Sequence, residues 1–102
     1  MNLGELTELI RLWARERGLD NADPYKQMLK VVEELGELAE GLAKGNMDMV
    51  EDSIGDEFVT LVVLSMQLSL NIEDCVEKAY VEIADRKGKM VNGVFVKESD
   101  LQ

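Results

Sequence analysis

Between positions 54 and 70 the chain is apolar on nearly every side of a helix. Ile54, Phe58, Val59, Leu61, Val62, Val63, Leu64, Met66, Leu68 and Leu70 leave little of the circumference polar. A helix that is apolar all round has to be covered all round. A chain of 102 residues has room for one domain, and its other helices can cover only part of such a surface. The stretch therefore predicts a central helix with a second copy of the chain over the remainder, in a homodimer or homotetramer. Thr60 and Ser65 interrupt its apolar run, which is too short to span a bilayer, so no membrane partner is expected.

The segments on either side carry the three-and-four spacing of amphipathic helices. Leu3, Leu6, Leu9, Ile10 and Trp13 predict a first helix over roughly 3–17, with Asn2 as its N-cap, Glu5 in its first turn and a stop at Gly18. Trp13 at this spacing reads as core. Asp23-Pro24 opens a second helix over roughly 24–44, with Met28, Val31, Val32, Leu35, Leu38, Ala39 and Leu42 as its buried stripe and fraying from Gly41 to Gly45. The apolar helix occupies roughly 48–70, and Asn71 separates it from a fourth over roughly 72–87, with Cys75, Val76, Ala79, Tyr80 and Ile83 on its buried side. Asn92-Gly93 between apolar pairs predicts a hairpin over roughly 89–97. The expected fold class is all-α, with a four-helix antiparallel bundle-like protomer, a short C-terminal β-hairpin and one domain over 1–102.

Composition removes several kinds of chemistry. A net charge of −10 opposes binding to a nucleic-acid polymer, which needs clustered Lys and Arg to displace counterions. The chain contains no histidine, which excludes His-based triads and imidazole metal sites. Cys75 is the single cysteine, so no intrachain disulfide forms. With no basic, then apolar, N-terminal leader, a cytoplasmic location is expected.

The acidic residues are grouped. Glu33, Glu34 and Glu37 lie together on the side of the second helix away from the middle of its apolar stripe, with Lys30 one turn before. On the third helix Asp52, Ser53, Asp56 and Thr60 share about a third of the circumference, and Asp56 runs into otherwise apolar surroundings. A short connection makes the two helices antiparallel, which brings both acid groups to a similar depth. Carboxylates meeting there repel one another, and a hard divalent cation with oxygen ligands reverses the penalty. Mg²⁺ is the expected ion, with Mn²⁺ as an alternative. Such a site suits phosphoryl chemistry, with Lys26, Lys30 and the cluster Arg86, Lys87 and Lys89 as candidate contacts for outer phosphates and Gly88 allowing close approach.

These residues carry a resemblance. Glu33-Glu34-x-x-Glu37 followed by a second-helix Asp56 resembles the E-E-x-x-E then E-x-x-D signature of MazG-like nucleoside triphosphate pyrophosphohydrolases, of the all-α NTP pyrophosphohydrolase superfamily. Gln27-x-x-Lys30 ahead of the motif, and Asp85-Arg86-Lys87-Gly88-Lys89 with the Asn92-Gly93 hairpin behind it, are most similar to small phage-type members. The resemblance implies an α-helical dimer, or dimer of dimers, that hydrolyses a (deoxy)nucleoside triphosphate to the monophosphate and pyrophosphate with Mg²⁺. Carried over by position, Glu34, Glu37 and Asp56 are metal ligands, and Glu33 is a ligand or water-orienting base. Ser53 stands where the pattern has its second-helix glutamate, so either Asp52 takes over or fewer metals are held. The alternative is a non-catalytic module that keeps the scaffold and binds a nucleotide or a protein without turnover.

Overall fold

The computed structural model describes residues 1–101. Its helices are α1 (Leu3–Glu16), α2 (Pro24–Lys44), α3 (Met47–Gln67) and α4 (Ile72–Ala84), followed by strands β1 (Gly88–Val91) and β2 (Val94–Lys97). The starts follow their caps. Asn2 accepts from the Glu5 N–H at 2.8 Å while its amide donates to the Glu5 carboxylate at 3.0 Å. Asp23 accepts from the Tyr25 N–H at 2.9 Å, with Pro24 as the first helical residue. Both ends expected at 70 and 87 come earlier. α3 stops because Ser69 enters the left-handed region at φ 58° and the Leu70 N–H turns back to the Ser65 carbonyl at 2.8 Å.

Residues 1–72 form one compact unit and residues 73–101 a second. In the first unit α2 and α3 pack as an antiparallel pair and α1 lies on α3. Gly41 marks a close crossing, not a frayed end. A Cβ there would lie 3.1 Å from a Val50 methyl and 3.2 Å from the Val50 nitrogen, so the missing side chain lets the backbones approach. The helix runs on to Lys44, and Gly45 closes it in the left-handed conformation at φ 66°.

The packed faces differ from the apolar stripes. α1 turns Thr7, Arg11 and Ala14 inward, and Arg11 is ion-paired with Glu8. Leu3, Leu9 and Leu12 remain exposed. On α2 the buried residues are Val31 and Gly41, whereas Val32, Leu35 and Leu42 lie open. This corrects the expectation that the stripe of α2 is buried within the chain. Small side chains at the contacts bring the three helices close, and the bulky apolar residues are turned to the outside.

In the second unit α4 has no buried residue. Cys75, Val76, Tyr80 and Ile83, expected on a buried side, are exposed. The physical reason is the same: a stripe at helical spacing records a need for cover, and this chain alone does not meet it. β1 and β2 pair antiparallel from Gly88↔Lys97 to Val91↔Val94. Asn92 and Gly93 both have positive φ, 51° and 81°, as a two-residue turn of this hand requires. Among the described residues, no single helix is long and apolar enough to cross a membrane.

Candidate active site

Two contacts fix how far α2 and α3 slide along each other. Near one end, the Gln27 amide donates to the Thr60 carbonyl at 3.1 Å. Near the other, Gly41 meets Val50. Glu34 lies midway between Gln27 and Gly41, so the antiparallel register sets it opposite roughly residues 53–57 of α3. The same two-turn repeat places Gln27, Glu34 and Gly41 on one side of α2. The acid-bearing side is thus the one turned to α3, and the apolar stripe beside it faces out.

The carboxylates do meet. The Glu34 carboxyl is held above its usual range first by burial, then by Glu37 within hydrogen-bonding reach, then by Asp56 and Glu33. Its Oε2 is buried with no hydrogen-bond partner. Asp56 is likewise raised, by burial first, then by the neighbouring Asp52 and then by Glu37. Glu34, Glu37, Asp52 and Asp56 therefore form one interacting group across two helices. Glu33 stands at its edge, where Lys30 holds it at 3.2 Å. Ser53 is only 2% exposed. Asp52, beside it in sequence, is exposed.

The donor set fits a hard divalent cation. It is all oxygen, it lacks an internal cation apart from Lys30 at the rim, and it includes an unpartnered buried oxygen. Among the described residues no three carboxylates already surround one point as a finished cage. Gathering them requires rotation of half-exposed Glu and Asp side chains, which have several staggered positions open to them. Glu57 is a residue that sequence reasoning passed over. Its Oε2 is a second buried oxygen without a partner, while its Oε1 meets the Thr60 hydroxyl at 3.3 Å. An acid set between Ile54 and Phe58 was the available signal.

The cationic candidates are less gathered. Lys30 is on α2, beside the acids. Arg86, Lys87 and Lys89 belong to the second unit, where Arg86 pairs with Glu82 at 3.3 Å and, with Lys87, lines a pocket of about 350 Å³. Gly88 has a different duty from the expected one. A Cβ there would lie 2.2 Å from the Val96 carbonyl oxygen and 2.6 Å from the Phe95 ring, so the hairpin itself needs the glycine. The first unit has pockets of its own, two of which include charged residues. One, of about 500 Å³, is polar and includes Arg11, Arg15 and Gln67. The other, of about 410 Å³, joins Asp56 to Leu6, Leu9, Ile10 and Trp13 of α1 and to Val59.

Comparison with known proteins points to one family. The pattern of the MazG nucleotide pyrophosphohydrolase domain matches residues 23–91. An uncharacterized 18.2 kDa protein from the rep-hol intergenic region of Haemophilus phage HP1 is 45% identical over 67 residues, 65% of this chain. The aligned part spans 41% of that relative's length. No solved structure matches.

Proposed function

The chain belongs to the MazG nucleotide pyrophosphohydrolase domain family, and on that premise we propose that it hydrolyses a nucleoside or deoxynucleoside triphosphate to the monophosphate and pyrophosphate. The observation that carries the proposal is the acid group shared by α2 and α3, with its unpartnered Glu34 oxygen. Glu34, Glu37 and Asp56 would hold Mg²⁺, with Asp52 in place of the glutamate that Ser53 replaces. Mn²⁺ suits the same oxygens. When bound, such an ion would supply positive charge to the phosphates and make a water molecule more acidic. Glu33, at the edge of the group, orients that water and takes its proton as the oxygen attacks the α-phosphorus. The bond to the bridging oxygen breaks, and pyrophosphate leaves with its electrons. Lys30, beside the acids on α2, contacts the outer phosphates. The test is a nucleotide panel with Mg²⁺, assayed for pyrophosphate. Release by the wild-type protein and loss in Glu34→Gln, Glu37→Gln and Asp56→Asn, each still folded, is expected. Unchanged release in all three removes the assignment.

Assembly with itself is part of the proposal. The open stripe of α2 and the exposed Ile54 and Leu61 of α3 are the surfaces for a second copy, in a homodimer or homotetramer.

Ser53 favours a second reading. A small hydroxyl in a buried position gives the cation a neutral ligand where a carboxylate would bind it more tightly. On that reading the protein binds a nucleotide without turnover. Tight binding with no product over hours, and product appearing in Ser53→Glu, would distinguish it.

A further inference from the structure

Toward the C-terminal end of α3, a polar pocket of about 500 Å³ opens between that helix, α1 and the 3-10 turn Leu19–Asn21. Gln67, in its wall, follows Asp56 by eleven residues, about 16 Å along α3. No carboxylate of the acid group borders this space. Arg11 and Arg15, one helical turn apart on α1, both line it. Arg11 is 8% exposed and ion-paired with Glu8, so its guanidinium is held in place. Among the described residues no ion pair involves Arg15. The other polar side chains of the wall include Asp20, Asn21, Gln67 and Asn71. Gln67 fastens the wall together. Its Nε2 donates to the Leu19 carbonyl at 2.9 Å, which joins the end of α3 to the turn after α1. That bond fixes the carboxamide and leaves its Oε1 buried with no partner.

We propose that this pocket is a second ligand site, for a phosphorylated sugar, with the two guanidiniums on the phosphate and Asp20 and the carboxamides on the sugar hydroxyls. Charge decides the first half. Two arginines share one wall in a chain of net charge −10, and a guanidinium grips phosphate oxygens through a planar fork of N–H donors. Acceptors decide the second half. Asp20 repels a bare anion, and the Gln67 Oε1 gains a hydrogen bond from any donor brought to it. A ligand that suits both ends carries negative charge at one and O–H donors at the other. A sugar phosphate has that polarity, whereas a small inorganic ion is too compact to present both. Carboxylates accept from ribose hydroxyls in dinucleotide sites in the same way. The volume falls within the roughly 300–1,000 Å³ of small-molecule sites, and Met66 and Leu70 add carbon surface for the sugar ring. The site needs no divalent cation, because it stands apart from the acid group.

The probe is ribose 5-phosphate, titrated calorimetrically into the whole chain in EDTA. Saturable binding is expected, with ribose and inorganic phosphate each at least about tenfold weaker. Arg15→Ala is expected to weaken it by about tenfold, the loss of one charge-assisted bond. Arg15 is exposed, and circular dichroism checks that this variant is folded. Asp20→Asn is expected to narrow the gap between ribose 5-phosphate and inorganic phosphate, and Glu34→Gln to leave binding in the pocket as it is. Adenosine 5′-monophosphate separates the sources of the shared chemistry. Tighter binding than ribose 5-phosphate assigns the pocket to a nucleotide, weaker binding to a free sugar phosphate, and either supports the site. No saturable heat at millimolar ligand overturns the proposal. So does inorganic phosphate that binds as tightly as the sugar phosphate, or wild-type affinity in folded Arg15→Ala. Binding lost in Glu34→Gln but kept in Arg15→Ala moves the ligand to the acid group and overturns it as well. Each of these results leaves the pyrophosphohydrolase proposal standing.

Discussion

Gln27, near the start of α2, donates its side-chain amide to the main-chain carbonyl of Thr60 on α3 at 3.1 Å. Glu34 follows Gln27 by two helical turns, and Asp56 precedes Thr60 by about one, so this bond sets the depth at which the two acid groups meet. Gln27→Ala is expected to lower stability by about 1 kcal/mol, the net contribution of one such bond. That corresponds to a fall in Tm of about 4–8 °C. It is also expected to shrink the gain in Tm on adding Mg²⁺, because the helices are freer to slide. Melting curves with and without the ion measure both effects. Two unchanged curves would remove the positioning role.

Glu34→Gln and Asp56→Asn are expected to trade function for stability. Each removes a charge that burial and neighbouring carboxylates already disfavour. The metal-free protein should therefore melt slightly higher, by an amount that solvent screening keeps small. The stabilisation by Mg²⁺ with nucleotide, about 2.7 kcal/mol for a ligand at a hundred times its dissociation constant, should largely disappear. A lower metal-free Tm in both variants contradicts the repulsion inferred for the site.

The same shifts set a pH dependence. Glu34 is raised from 4.5 and Asp56 from 3.8, so over the interval above those values the folded protein holds protons that the unfolded chain has released. Their contribution favours folding at the acid end, weakens as pH rises through the folded values, and is least favourable at neutral pH. Metal-free protein at constant ionic strength is expected to melt higher at pH 5 than at pH 7. Saturating Mg²⁺, or the Glu34→Gln/Asp56→Asn double variant, should narrow the difference. A difference that survives both places its origin elsewhere in the chain.

Ser53→Glu restores the family's carboxylate at a site that is 2% exposed. Without metal, the added bulk and charge are expected to cost on the order of 1–3 kcal/mol. With Mg²⁺ much of that should return, and the metal concentration for half-maximal stabilisation should fall. Calorimetry in EDTA and in Mg²⁺ separates the two effects. Destabilisation that Mg²⁺ does not relieve would mean that position 53 faces away from the ion.

Leu35 is 55% exposed on the outward stripe of α2. Leu35→Lys alters no residue of the acid group, yet it is expected to shift the protein from oligomer to monomer in sedimentation velocity, with a loss of stability that depends on concentration. A wild-type protein that sediments as a monomer at all concentrations would refute self-assembly through this surface.

The helices were legible because their signals are local. Asn2, Asp23-Pro24 and Asn92-Gly93 each determine a backbone conformation through their own side chains, and each predicted turn or cap is present. The grouping of Glu34, Glu37 and Asp56 was legible for a related reason, since 100° per residue and a short connection set both angle and depth. Which side of α2 packs inward was not. Periodicity finds an apolar stripe but cannot distinguish cover by the same chain from cover by another, and Val32 and Leu35 face out while Glu34 faces α3. Gly41 shows the same limit: its sequence signal is helix breaking, and its use is a close crossing with Val50.

The sequence by itself determined the helices, the turn and the family, because caps, spacing and motif act over a few residues. Tertiary structure alone decided that Gln27 and Gly41 hold the acid-bearing side of α2 against α3, and that Trp13 stands open beside Asp56. Those outcomes depend on which surfaces approach most closely. That is settled by the volume of side chains far apart in the chain, which no local pattern records.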